Sequence, residues 1–300
     1  METNGRDRRD WVVVVADGDD LRLDPLLRLL GRPSCPRQYA RILANRSLLE
    51  LAVERAVLVA GSARVALVVA PEHAALAREQ LARHREVTIL TRPRQLGHAS
   101  GLAFLLSTLG AQHAGARVVV MPADHYVARA EPFVAAVQRM VGGADESIVV
   151  LGVSAGVGDA DNGWIIPGRL LSSGRRAIDR LVEDPARPLA RRLRREGALW
   201  NSSVIAGTIE SLLAMASSEV SLGQSIARAP DRFAVETVGG CGWSDWGTLE
   251  RVLLSLEGTP ELEPLLRRIM ERDRRSASTT VAITESCDET RMDPWTAHAG

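Results

Sequence analysis

Two acidic residues far apart in the chain have the type and setting to do chemistry. Asp124 ends the apolar run Val118-Val119-Val120-Met121-Pro122-Ala123-Asp124-His125, and Asp245 sits inside Gly242-Trp243-Ser244-Asp245-Trp246-Gly247. A buried strand that presents a carboxylate at its C-terminal tip is how open α/β sheets build sites for phosphates and hard cations. Brought together by the fold, the pair could hold Mg²⁺ against a nucleotide. Each also has a structural reading: Asp124 as a cap on the next element, and Asp245 or Ser244 as the N-cap of a helix starting near Gly247.

The elements that must position them are legible from periodicity. Short β-branched runs at Trp11 to Ala16, Arg64 to Ala70, Val87 to Leu90, Arg117 to Met121 and Ser147 to Val153 alternate with helical patterns. Those helices fall at Ser47 to Ala60, Glu72 to Arg85, Ala99 to Leu109 and Pro132 to Val141. This alternation predicts an α/β fold, a mostly parallel sheet flanked by helices with right-handed crossovers. Beyond residue 155 the pattern loosens into strands at Trp164 to Ile166 and Ile178 to Val182, a basic helix at Leu189 to Glu196, a loop at Gly239 to Gly247 and a helix at Leu249 to Leu256. The arginines of Arg191-Arg192-Leu193-Arg194-Arg195 read as a solvated helix face rather than a phosphate clamp.

The expected organisation is a polar extension over 1–10, one domain over 11–270 and an unstructured polar tail over 271–300. Within the domain, 11–155 forms a nucleotide half and 156–256 a substrate half. A length of 300 residues with 46% apolar and 25% charged content suits that arrangement. A formal charge of zero argues against a dominant surface for nucleic acid or anionic membrane. All 37 basic residues are arginine, which removes lysine Schiff-base and general-base chemistry. Cys35, Cys241 and Cys287 lack metal-ligand spacing and an even count, so neither a zinc site nor a disulfide framework is expected. The first apolar run is too short for a signal core or a membrane span, and a cytoplasmic protein is the expectation.

The ordered set Pro36-Arg37-Gln38-Tyr39, Arg46-Ser47-Leu48-Leu49, Pro93 to Gly101, Met121 to His125, Val182-Glu183-Asp184-Pro185, Leu199-Trp200-Asn201-Ser202 and Gly242 to Gly247 resembles the sugar-1-phosphate nucleotidyltransferases, in particular their mannose-1-phosphate guanylyltransferase-like branch. The resemblance runs over roughly residues 11 to 256. It implies a Rossmann-like (GT-A-like) nucleotidyltransferase fold. It also implies a reaction in which a sugar-1-phosphate oxygen attacks the α-phosphorus of a nucleoside triphosphate, GTP in that branch, and expels pyrophosphate. Carried over by position, Asp124 and Asp245 would ligate Mg²⁺, and Arg22 and Arg37 would face the triphosphate. Gly18 and Gly97 would let phosphate and base approach the backbone, and Glu183, Trp200 and Asn201 would line the sugar side. His98 and His125 are expected in supporting positions. Trp200 and Trp243 also read as core aromatics.

The chain departs from that pattern in its first loop. A glycine-rich segment would wrap phosphates with backbone N–H groups, but here it reads Ala16-Asp17-Gly18-Asp19-Asp20-Leu21-Arg22. A carboxylate about 5 Å from a phosphate charge costs roughly 3 kcal/mol at an effective dielectric near 20, so Asp17, Asp19 and Asp20 together would oppose much of a triphosphate's binding. The family's two lysines are replaced as well, by Arg37 and by Asp184. A second reading follows, in which the chain is a relative that binds a nucleotide, a sugar phosphate or a protein partner, or pairs with its own copy, in a regulatory or scaffolding role.

Overall fold

A computed structural model describes residues 10–43, 45–93, 98–113, 115–142, 148–156, 163–216 and 221–272. Its centre is a sheet of nine strands in the order β5-β4-β1-β6-β11-β8-β12-β10-β9. Four of them, β5 (Thr88–Thr91), β4 (Val65–Val69), β1 (Trp11–Ala16) and β6 (Arg117–Pro122), run parallel, as the alternating pattern predicts. Val12, Val13 and Val14 of β1 and all five residues of β4 are essentially inaccessible to water. A strand covered on both faces has no reason to alternate apolar with polar residues, which explains these unbroken valine runs.

The sheet becomes mixed in its second half. β11 (Leu199–Thr208) lies antiparallel between β6 and β8 (Ile148–Ser154), while β12 (Phe233–Val238) runs parallel to β8. β10 (Arg176–Val182) and β9 (Trp164–Leu170) complete the edge as an antiparallel pair. The sheet is thus mostly parallel, as expected, with β11 and β10 running against the other strands. β11 hides its strand character behind the polar stretch Asn201-Ser202-Ser203. The register shifts between Asn201 and Ile205, Ser203 takes a positive φ of 57°, and Ser202 Oγ donates to the Leu151 carbonyl at 2.7 Å. Polar groups satisfied inside the sheet cost little there.

Helices cover both faces. On one, α2 (Leu48–Ala60), α3 (Ala74–Gln80), α5 (Ala130–Val141) and α6 (Arg187–Arg195) contribute to the apolar cluster that includes Val12, Val14 and Leu67. On the other, α4 (His98–Gln112), α7 (Ile209–Ala216) and α8 (Leu222–Arg228) contribute to the apolar cluster that includes Val13, Ala66 and Val68. Ser47 starts α2 through a reciprocal capping box with Glu50, and Gly61 ends it at φ 80°. The helix expected to run to Arg85 stops at Gln80. The arginines of α6 are exposed while Ala190 and Leu193 are buried, as expected of a solvated face.

A third apolar cluster lies at one end of the sheet. It joins α1 (Asp24–Leu29), the hairpin of β2 (Arg41–Leu43) and β3 (Arg46–Ser47), and α9 (Leu249–Leu256) through Leu26, Leu27, Ile42, Trp246, Val252 and Leu256. A further helix spans 262–272, so residues 271 and 272 continue the domain instead of opening a tail. The rest of the expected tail, the first nine residues and Cys287 lie outside the described residues.

Candidate active site

The parallel strands end where the third cluster begins, and chemistry-bearing side chains collect at that edge. Asp124 lies two residues beyond the end of β6. The next two residues after His125, β7 (Tyr126–Val127), pair antiparallel with β13 (Trp243–Ser244), Ser244 opposite Tyr126. That miniature sheet carries Asp245 back beside the tip of β6, which is how two carboxylates distant in sequence reach one place. The expected loop at Gly239 to Gly247 thus contains a strand, and it is the strand that matters. Asp245 is not a helix cap, because Thr248 caps α9 through a bond from the Arg251 N–H at 3.2 Å. Its Oδ1 instead accepts from the Gly247 N–H at 3.3 Å.

Each carboxylate meets a guanidinium. Arg37, 4% exposed, places Nη2 against Asp124 Oδ2 and also lies 3.4 Å from Asp20 Oδ2. Arg251, 5% exposed, brings Nη1 to 2.9 and 2.7 Å from the two oxygens of Asp245. Arg22 folds back onto Asp20, donating from its backbone at 2.8 Å and from Nε at 2.7 Å. A Cβ added to Gly247 would sit 2.9 Å from Arg251 Nη1, 2.9 Å from Asp245 Oδ2 and 3.1 Å from Arg22 Nη1. A residue without a side chain is what allows these three groups to converge.

The acidic loop answers its own charge. Asp17 turns inward, 3% exposed, with Oδ2 3.4 Å from Arg92 Nε at the end of β5. Arg92 in turn fills the space above Gly101 of α4, where a Cβ would lie 2.6 Å from its Cδ. Asp20 is shared by Arg22 and Arg37, and Asp19 is exposed, 3.8 Å from His73. Burial would push the Asp20 carboxyl up, but the Arg22 hydrogen bonds and the Arg37 charge outweigh it and hold it below the usual range. Asp17 and Asp20 are therefore already compensated within the chain, which the sequence did not reveal. Gln38 fixes the loop by donating to the carbonyls of Ala16 and Gly18 at 3.2 and 2.6 Å, and the Tyr39 hydroxyl donates to Ala16 at 2.9 Å.

Between loop and strand tip lies a cavity of about 210 Å³ lined by Gly18, Asp20, Gln38, Pro122 and Asp124 among others. This is below the roughly 300–1,000 Å³ of most ligand pockets, and suits phosphate groups better than a whole nucleotide. A Cβ on Gly18 would meet nothing within 4 Å, so the space beside it is open to a ligand. Gly97 and the side chain of His98 lie outside the described residues.

His125 links this centre to the tryptophans of β9 and β11. Its Nδ1 accepts from Trp243 Nε1 at 3.3 Å, and its Nε2 lies 3.6 Å from Asp124 Oδ1. Burial pushes the imidazole down and keeps it neutral at pH 7, and the acceptor role of Nδ1 puts the proton on Nε2, facing the carboxylate. Burial alone would raise the Asp124 carboxyl, but the facing His125 and the Arg37 guanidinium outweigh it and hold it below the usual range. Ring contacts continue from His125 to Trp243 at 5.1 Å, from Trp243 to Trp200 at 6.2 Å and from Trp200 to Trp164 at 6.1 Å.

Trp200 stands opposite Trp164, which stands opposite Val182, so the next position in each strand aligns Asn201, Gly163 and Glu183 in one row. Glu183 is exposed, and Asn201 Oδ1 accepts from the Ser203 N–H at 3.0 Å. Asp184, also exposed, takes a positive φ of 42°. Among the described residues the indole N–H groups of Trp164 and Trp200 are buried without a hydrogen-bond partner, whereas that of Trp243 is satisfied by His125. Of the residues singled out from sequence, Gly18, Arg22, Arg37, Asp124 and Asp245 meet at the sheet edge, and Glu183, Trp200 and Asn201 form an adjoining row. Arg92 and Arg251 were missed, because in a chain this rich in arginine nothing beside either one marks it out from a surface charge until its partner is known.

The profile of the nucleotidyl transferase family matches residues 12–257. The chain belongs to this family. Among solved structures, the mannose-1-phosphate geranyltransferase of Thermus thermophilus is similar at a TM-score of 0.66 and 23% identity, over 84% of this chain and 80% of that one. The inositol-1-phosphate CTP transferase of T. maritima follows at 0.59 and 13%, over 88% and 96%. The UTP-bound UGPase of Acinetobacter baumannii is similar at 0.57 and 15%, over 87% and 99%. Comparison with curated protein sequences gives no match. At these identities the neighbours establish the nucleotidyltransferase fold.

Proposed function

We propose that this nucleotidyl transferase joins a nucleoside triphosphate to a sugar-1-phosphate, with GTP and a mannose-1-phosphate-like sugar as the pair its motif order favours. A phosphate oxygen of the sugar attacks the α-phosphorus, the bond from that phosphorus to the bridging oxygen breaks, and pyrophosphate leaves with the electron pair. Such transfers need positioning and charge neutralisation more than a covalent nucleophile. The observation that carries the reading is the β7–β13 pairing, which sets Asp245 beside Asp124 at the C-terminal edge of the parallel strands, with Arg22 and Arg37 around them.

The donor set fits Mg²⁺. Two hard carboxylates converge, and guanidinium groups already stand where a positive charge is needed. Among the described residues no group of three or more His, Cys, Asp or Glu is placed to hold a metal, so the remaining ligands would be water and substrate oxygens. Asp124 and Asp245 would hold the ion, which would supply charge neutralisation to the phosphates. Arg22 and Arg37 bind and orient the triphosphate from the β1 side, and Glu183, Trp200 and Asn201 receive the sugar. Among the described residues no helix is long and apolar enough to cross a membrane, and Cys35 and Cys241 are free thiols, which suits a cytoplasmic setting.

Pyrophosphate release, measured across four nucleoside triphosphates and a panel of sugar-1-phosphates with Mg²⁺, tests this. One pair should stand out, and Asp124→Asn should lower its turnover about 10²–10³-fold. Silence across the panel from folded protein would favour the binding or regulatory reading, which the arginine-closed carboxylates also support. In that case a melting shift with nucleotide or sugar phosphate would still appear.

A further inference from the structure

Arg251 has no part in the reaction above, yet its position demands an explanation. It lies in the first turn of α9, where a positive charge opposes the helix dipole. It is also almost fully buried, which adds the cost of desolvating a charge. Its return is Asp245: Nη1 bridges both carboxylate oxygens. Arg37 stands in the same relation to Asp124.

We propose that Arg251 is a built-in competitor for the divalent cation at Asp245. While its guanidinium bridges the two oxygens, the carboxylate is neutralised and its metal-facing lone pairs are engaged, so the nucleotide-free protein holds divalent cations weakly. A triphosphate brings oxygens that Arg251 and its neighbour Arg22 can take up instead, which releases Asp245. The cation then binds with the nucleotide and not before it. The inference rests on reading Asp124 and Asp245 as the cation's ligands. A purely structural strut between α9 and the β13 loop would stabilise the same contact without affecting metal affinity.

The test is Mn²⁺ titration of the full-length, nucleotide-free protein, followed by the electron paramagnetic resonance signal of the free ion. Wild type should bind weakly, and Arg251→Gln should bind at least about tenfold tighter, since a full charge a few ångströms away is removed. The gain should vanish in Arg251→Gln/Asp245→Asn, and Arg251→Lys should stay as weak as wild type. If the glutamine variant does not fold, Arg251→Met, apolar and of similar length, is expected to show the same gain. Equal Mn²⁺ affinity in wild type and in the folded Gln or Met variant overturns the proposal, as does a gain that survives Asp245→Asn. Because no nucleotide is present, the result is independent of pyrophosphate release: an active enzyme whose Mn²⁺ affinity ignores Arg251 refutes the competitor alone.

Discussion

The two flanks of the site handle their polar groups in opposite ways. On the β1 side the buried charges are closed within the chain, Asp17 by Arg92, Asp20 by Arg22 and Arg37, and Asp124 by Arg37. On the β9–β11 side, two indole N–H groups are buried with no partner among the described residues, one position before the row that carries an exposed Glu183. A flank whose carboxylates are already neutralised gains little from an arriving anion unless ion pairs are exchanged, although Arg37 Nε and Nη1, buried without a hydrogen-bond partner among the described residues, remain as donors. A flank with orphaned donors gains outright from any acceptor that arrives. In the proposed reaction the triphosphate must therefore displace ion pairs, while the sugar phosphate fills vacant hydrogen bonds.

The largest expected effect breaks the ion-paired flank. Asp17→Gly restores the residue type of the family's phosphate loop, but takes the paired carboxylate away from the Arg92 guanidinium beside Gly101. Removing one partner of a buried pair costs about 3–5 kcal/mol. Urea unfolding should show a loss of that size, and Asp17→Gly/Arg92→Met should recover most of it. An unchanged midpoint for the single variant would mean the pair does not hold the loop, and the contrast between the flanks would lose its clearest member.

Sequence made one of these flanks far more legible than the other. The valine-rich strands and Asp124 could be read directly because an unbroken apolar run has few ways to be buried, and its last residue must emerge at the sheet edge. Asp245 was found by its motif, but its route to Asp124 depends on a two-residue pairing, Trp243–Ser244 with Tyr126–Val127, too short to leave a periodic trace. β11 was obscured because Ser202 and Asn201 satisfy their polarity inside the sheet. The charge balance was misjudged for a related reason. Asp17 and Asp20 were visible as negative charges in a phosphate loop, whereas Arg92, far along the chain, becomes a partner only when β5 and β1 are placed in one sheet. Ion pairing is a property of tertiary contact, and local sequence carries almost none of it.

A smaller effect is expected where Arg22, Asp245 and Arg251 converge on Gly247. The methyl group of Gly247→Ala would meet the tips of flexible side chains rather than backbone. The fold should tolerate it, with a nearly unchanged Tm, while the charged groups are pushed apart. Misplacing reacting or neutralising groups by a fraction of an ångström is enough to cost roughly tenfold in kcat/KM. Steady-state kinetics and a melting scan on the same preparation would check both halves. A fall in Tm of many degrees with little kinetic loss would make Gly247 a folding residue and remove it from the site.

The smallest expected effect lies on the opposite flank. Trp200→Phe keeps an aromatic ring between Trp164 and Trp243 but deletes the orphaned donor. The lost ring volume is unfavourable and the removal of an unpaired buried N–H is favourable, and the two offset each other to within about 1 kcal/mol. Stability should hardly move. If the N–H is reserved for the sugar phosphate, the KM for that substrate should rise several-fold, on the scale of one hydrogen bond, while the KM for the triphosphate stays put. A clear loss of stability with both KM values unchanged would instead make Trp200 a core aromatic, and the vacancy on this flank would no longer mark where the sugar binds.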